Sequence, residues 1–408
     1  MKKILRDNKG SISALVVISV LLYSIVLTTA FMQASSKRKM QMESQILAKE
    51  AYEKQLDNLD EIRDEINGGK RVPAEATAET APYFPDNTFT KKEGTIDTGL
   101  VIQDAKGNEY VWVVVPRTTA VYKTTGLGKT TFTDADYTSI EKDLKDYTST
   151  YVTTSGYSDT WYEDNQNEGW LSETEYKTLK NSMLKSVYEN GGFYVGRYEA
   201  GIETTGTNRI SIEAEIDGKY PVPTTVPVSK ADAYPYTWVT RTQAQNLASN
   251  VNSGTKTSSL MFGVQWDLVL AFMSKDTAKI ASTDVLTKNS TTIGNYTDNL
   301  WTIKNAKAQY STNYGSTFTA CPNPFKKESN SDILLTTGAD SSFSVQNIYD
   351  IAGNVNECTL EKTSDTNYPC ALRGGDFGNP GSDCPAAIRR FSSTDISYYS
   401  IGFRVSLF

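Results

Sequence analysis

Histidine is absent from the 408 residues. With it go the Ser-His-Asp and Cys-His nucleophiles, the imidazole general base and any His-ligated zinc or iron. Cysteine is scarce and confined: Cys321, Cys358, Cys370 and Cys384 all lie in the last quarter of the chain. None forms a C-x-x-C pair, which argues against a zinc site. In an exported domain, four cysteines predict two disulfides with three connectivities open. Cys358 and Cys370 flank a turn-like stretch at Lys362–Asn367 and can face each other across a hairpin, while Cys384 is equally available to either. The chain lacks an extended basic stripe, and its net charge is −7. A nucleic-acid partner is therefore not expected. Beyond one N-terminal stretch it has no other long apolar run.

That stretch, Ser11–Met32, holds 22 residues without a charge, enough to cross a bilayer as a helix. Its length and the lack of a small-x-small site favour an uncleaved anchor over a secretory signal. The flanking lysines and arginines are nearly balanced and only tilt the N-terminus towards the cytoplasm; the absence of a second span leaves everything C-terminal on one side, and the cysteine pattern points to the outside. Lys9-Gly10 has the outline of a prepilin leader, but Leu15 stands where the usual glutamate would be. The expected organisation is a basic tail at 1–10, a transmembrane helix at 11–33, a helical stalk at 34–68, a linker at 69–93 and a globular domain at 94–408. The stalk rests on Ala48, Tyr52, Leu56, Leu59, Ile62 and Ile66 at helical spacing. Gly68-Gly69 and Pro73 end it. It serves as a solvated spacer or as a short coiled coil through which the protein self-associates.

The globular part is rich in Tyr (24 residues), Thr, Ser and Asn, which suits an extracellular domain leaning towards β-structure. Gly99–Asp104 and Glu109–Val115 read as strands joined by the turn Ala105-Lys106-Gly107-Asn108. An irregular polar insertion spans 123–169. Leu171–Asn190 reads as a helix capped by Ser172, with Glu173 and Glu175 in its first turn. Phe193, Tyr194, Trp238 and Trp266 are core candidates.

Gly191-Gly192-Phe193-Tyr194-Val195-Gly196-Arg197-Tyr198-Glu199, Asp350–Glu357, Arg373-Gly374-Gly375-Asp376-Phe377 and Gly402-Phe403-Arg404-Val405 together resemble the formylglycine-generating (sulfatase-modifying-factor) family. The resemblance implies an α+β, C-type-lectin-like fold over 94–408. In that family two cysteines after the Gly-Gly pair bind copper; here the second falls on Cys384 and the first on Asn379. A lone thiolate cannot make that site, and no histidine replaces it. The resemblance thus points to a scaffold without its chemistry, the rival being a divergent enzyme that uses Cys384. It also implies a structural calcium ion, with carboxylates from Asp350 and Glu357 and carbonyls from Gly353 and Val355. Tryptophans usually flank the glutamate; here those positions are Asn356 and Cys358. Arg389 and Arg404 match structural arginines.

Between Asp376 and Ser400 the chain follows no strand or helix period and lacks Lys, Glu, Gln, Met and Trp. Its composition and terminal location resemble the variable region of retroelement-diversified proteins. Aromatics interleaved with Ser, Asn and Asp suit a binding loop on a rigid scaffold. The candidate ligand-binding residues are Phe377, Asn379, Asp383, Ile388, Phe391, Asp395, Tyr398 and Tyr399, facing a surface ligand that is a protein or a glycan.

Overall fold

Tyr110–Val115 is apolar without alternation, the pattern of a strand buried on both faces. In the computed structural model, which describes residues 80, 82–86, 88–206, 223–251 and 256–408, this strand (Glu109–Val114) lies inside a six-stranded sheet. The order is Thr90–Glu93, Val101–Gln103, Glu109–Val114, Gly192–Gly196, Val405–Leu407, Ser258–Leu260. The C-terminal strand is thus an interior one, antiparallel to both neighbours. The fold is mixed α and β, mostly sheet. The tail at 1–10, the anchor at 11–33 and the stalk at 34–68 lie outside the described residues. Among those described, no helix is long and apolar enough to cross a membrane.

The expected linker runs too far. Thr90–Glu93 is already the edge strand of the sheet, and Phe89 is buried before it. Tyr83 packs edge-on against Trp112 and Tyr194, and its hydroxyl donates to the Leu407 carbonyl at 3.3 Å. The sheet therefore gathers residues from within the expected linker, because scattered aromatics reach back onto it from a stretch with no period of its own.

Three helices follow from their own end signals, and a fourth is capped from elsewhere in the chain. Within the insertion expected to be irregular, Asp134–Tyr147 (α1) is a helix closed by a reciprocal cap between Thr133 and Asp136. Glu173–Asn190 (α2) carries the same device in Ser172 and Glu175, and ends at Gly191 in the left-handed region. Arg241–Ser249 (α3) starts at Thr240 with Gln243. Gly263–Met273 (α4) is buried all round. Its N-terminal amides are capped from a distance: Gly263 and Val264 donate to the Asp159 carboxylate at 2.6 and 3.0 Å.

A second sheet carries the C-terminal region. Arg389–Ser392, Cys370–Arg373 and Asn356–Thr363 run antiparallel, and Ile401–Phe403 pairs with Asn356–Thr363 in parallel. Arg404 stands where the chain leaves this sheet for the other. Its guanidinium donates to Glu357 Oε1 from Nη2 at 2.7 Å, and to the Gly196 and Tyr349 carbonyls at 2.9 and 2.8 Å. It joins both sheets through a fully buried ion pair.

All four cysteines are free thiols and buried, so the expected two disulfides are not formed. Cys358 and Cys370 do sit on hairpin strands, but in register they oppose Leu372 and Lys362 and not each other. Cys321 belongs to a separate apolar cluster with Trp301 and Phe343.

Candidate ligand-binding site

Side chains opposite one another in a sheet share a face. The row Glu357–Arg373–Arg389 faces one side of the second sheet, and the row Cys358–Leu372–Arg390 the other. The first side closes on α4. Arg373 donates to Asp267 at 2.7 Å and to Glu361 at 3.0 Å, and Arg389 bonds the same two carboxylates at 2.5 and 2.9 Å. Two guanidiniums and two carboxylates form a closed, neutral, buried square. It fixes three strands to the helix immediately before Gly374-Gly375, where the irregular loop leaves the sheet, and at Arg389, where the chain rejoins it.

The other side forms an open cavity of about 340 Å³. Asn356, Leu372 and Arg390 line it from the sheet, Asp376 and Asn379 from the loop, and Asp332 from a neighbouring segment; Phe391, Tyr398 and Tyr399 complete its wall. Asp376 is 5% exposed. Its Oδ2 accepts from Asn356 Nδ2 at 2.5 Å, and its Oδ1 accepts from the Gly378 amide at 2.9 Å and Asn379 Nδ2 at 2.6 Å. Burial raises the Asp376 pKa, while those bonds and the nearby Arg390 pull against the shift. Arg390 Nη1 lies 3.7 Å from Asp376 Oδ2 and also 3.7 Å from the Cys384 sulfur. Asn356 is 3% exposed, and its Oδ1 has no partner among the described residues.

Aromatic rings spread outward from this cavity. Tyr398 and Tyr399 lie 4.2 Å apart, Tyr314 packs on Tyr399 at 4.4 Å, and Tyr368 packs on Phe391 at 5.3 Å. Among the described residues, eight large hydrophobics are exposed, and five of them (Tyr314, Tyr368, Phe391, Ile396 and Tyr398) lie on the loop or pack against it. A concentration of this kind marks an interaction surface, because scattered exposed apolar residues need no explanation and a contiguous group does.

Of the eight candidate residues, Asn379, Phe391, Tyr398 and Tyr399 line the cavity. Phe377 does not. It is 1% exposed and packs with Leu334 and Val355. A phenylalanine directly after Gly-Gly-Asp looks like a free loop residue in sequence, but its amide is bound to the Asn354 carbonyl at 3.1 Å and its ring turns inward. Asp383, Ile388 and Asp395 lie outside the cavity lining; Asp383 and Asp395 are exposed and Ile388 is half-buried. Asp395 accepts from Ser393 Oγ at 2.5 Å. Nor is the loop wholly irregular, since Arg389–Ser392 is a strand. Tyr314, Tyr368 and Asp332 were not legible, because they come from distant turns with no period. Asn356 carried a signal: a polar residue where the resemblance expects a tryptophan.

Cys384 is 5% exposed, and burial raises its thiol pKa. Its carbonyl would lie 2.4 Å from a Cβ at Gly375 (φ +77°), so that position requires glycine. Asn379, where a second cysteine would be needed, is instead bound to Asp376.

Of the four positions expected to hold calcium, the two carboxylates are engaged by the protein itself. The Glu357 carboxylate is taken by Arg404, and Asp350 Oδ2 accepts from the Gly338 amide at 2.7 Å. The Val355 amide donates to Glu199 Oε1 at 3.1 Å, which brings a third acid to the same place. Among the described residues, no group of three or more Cys, Asp or Glu side chains is arranged around a metal. What gathers here is Glu199, Asp350 and Glu357 around Arg404. Burial raises the pKa of all three acids, that of Asp350 to about 7.

No protein-family model matches the chain, and no curated protein matches it. Among solved structures it is similar to PvdO from Pseudomonas aeruginosa, at 14% identity over 53% of this chain and 81% of that one, with a TM-score of 0.29. Treponema denticola variable protein 1 matches at 12% identity over 73% of this chain and 84% of that one, with a TM-score of 0.21. CarF matches at 13% identity over 81% and 95% of the two chains, with a TM-score of 0.22.

Proposed function

We propose that this chain is a surface protein displaying a non-catalytic, ligand-binding domain of the C-type-lectin-like, formylglycine-generating-enzyme type, with its binding face on the 376–400 loop. The observation that carries the reading is the cavity walled by Phe391, Tyr398 and Tyr399, standing on a sheet locked from behind by the Arg373–Arg389–Asp267–Glu361 square. Rigid support beneath exposed aromatic side chains lowers the ordering cost of binding. The buried thiol of Cys384, its pKa raised, is a poor nucleophile, which supports binding over catalysis. The membrane anchor at 11–33, the stalk at 34–68 with its self-association, and a loop diversified by a retroelement belong to the same reading and rest on the sequence.

The test is capture. The full-length chain is presented to an array of bacterial glycans and purified surface proteins beside its Phe391→Ser/Tyr398→Ser variant. Capture by the wild type that is lost in the variant supports the reading. Capture retained by the variant moves the binding surface elsewhere.

A further inference from the structure

Resting on that reading of the 376–400 face, we infer that its cavity takes a cationic hydrogen-bond donor, an ammonium or guanidinium group. The polar groups at its floor are acceptors in excess. Asn356 is almost completely buried; its Nδ2 donates to Asp376, while its Oδ1 has no partner among the described residues. A buried amide oxygen in that position costs about 1–3 kcal/mol until a donor reaches it. Asp376 and Asp332 bring two carboxylates to the lining and Arg390 one guanidinium, so the cavity holds one more negative than positive charge when both acids are ionised. Arg390 is held loosely: it stands 3.7 Å from Asp376, and 42% of its side chain is exposed.

The wall adds the second requirement. Phe391, Tyr398 and Tyr399 line the wall beside the acceptors, and a cation that reaches an aromatic face gains about 0.5–2 kcal/mol, more as water is excluded. An anion would meet Asp332 and Asp376, and a purely apolar group would leave Asn356 Oδ1 unsatisfied. A neutral polyol satisfies the acceptors but gains nothing from the excess charge. The same chemistry arises from a lysine or arginine side chain of a partner protein or from a small free amine, and a cavity of about 340 Å³ has room for either.

Calorimetric titration of the full-length chain decides it, with three probes: agmatine, the peptide acetyl-Gly-Arg-Gly-amide and the neutral 1,4-butanediol. The expected result is saturable binding of agmatine or the peptide, at least tenfold tighter than the diol. Binding should weaken about tenfold or more in Asp376→Asn and several-fold in Asp332→Asn. Asp332 is exposed, so its variant keeps the fold and the comparison holds even if Asp376→Asn unfolds. Agmatine alone would assign the cation to a small amine, and the peptide alone to a protein side chain. Failure of both cationic probes, equal binding of the diol, or unchanged affinity in Asp332→Asn would overturn the inference. If the array ligand is still captured in a Phe391- and Tyr398-dependent way, only the cation assignment falls; if capture fails too, the binding reading falls with it.

Discussion

Arg373 and Arg389 face each other across adjacent strands, and each bonds both Asp267 and Glu361. Two like charges opposite one another in a sheet ordinarily repel; here the pair is neutralised by one acid from α4 and one from the next strand. All four side chains are at most 5% exposed, so none is solvated if its partners are lost. Glu361→Gln should therefore lower the unfolding free energy by about 3–5 kcal/mol. The check is the denaturant midpoint at an unchanged slope. A loss below about 1 kcal/mol would mean that the square does not hold the sheet to the helix.

Phe377 and Phe391 lie on the same stretch of sequence but in opposite environments, 1% and 62% exposed. Phe377→Ser should destabilise the domain by about 3–5 kcal/mol, the range for emptying a buried phenylalanine site. Phe391→Ser should change stability by less than about 0.5 kcal/mol. Thermal unfolding of the two variants side by side gives the comparison.

The division between these two residues also shows what the sequence could carry. The Ser172 cap and the core positions Phe193, Tyr194, Trp238 and Trp266 were legible, because caps and bulky apolar residues are local signals. The loop was legible as a segment, but the inward turn of Phe377 was not, since it depends on Leu334 and Val355 from elsewhere in the chain. The same holds for α1, whose Thr133–Asp136 cap lay within a polar stretch, and for Tyr314 and Tyr368. The partner of Glu357 was not legible for a related reason: Arg404 is 47 residues away in sequence and bonds it in the fold.

Acid should stabilise the cluster of Glu199, Asp350, Glu357 and Arg404. The Asp350 carboxyl is raised from an ordinary 3.8 to about 7, chiefly by burial, and Glu199 is raised in the same direction. The folded state then binds protons more tightly than the unfolded chain. Stability contributed by Asp350 is full below about pH 4 and is lost as the pH rises towards about 7. Asp350→Asn should flatten that part of the profile, as read from unfolding midpoints between pH 4 and 8. A parallel slope in the variant would assign the effect to other groups.

Burial also raises the pKa of all four thiols. A thiol reagent at neutral pH should label none of them rapidly in the native protein and all four after unfolding. One fast-reacting native thiol at Cys384 would favour an enzyme, and fewer than four after unfolding without reductant would indicate a disulfide.

The most direct test of a diversified binding face is the sequence of this gene's 3′ end, with its flanking DNA, across sister isolates. The account predicts substitutions concentrated at exposed or half-buried positions of the face such as Asn379, Phe391, Asp395, Tyr398 and Tyr399. Phe377, Cys384, Arg389 and the Gly374-Gly375 pair should stay fixed, and a near-identical template repeat should lie nearby. Substitutions spread evenly over buried and exposed codons, or a loop identical in every isolate, would contradict it.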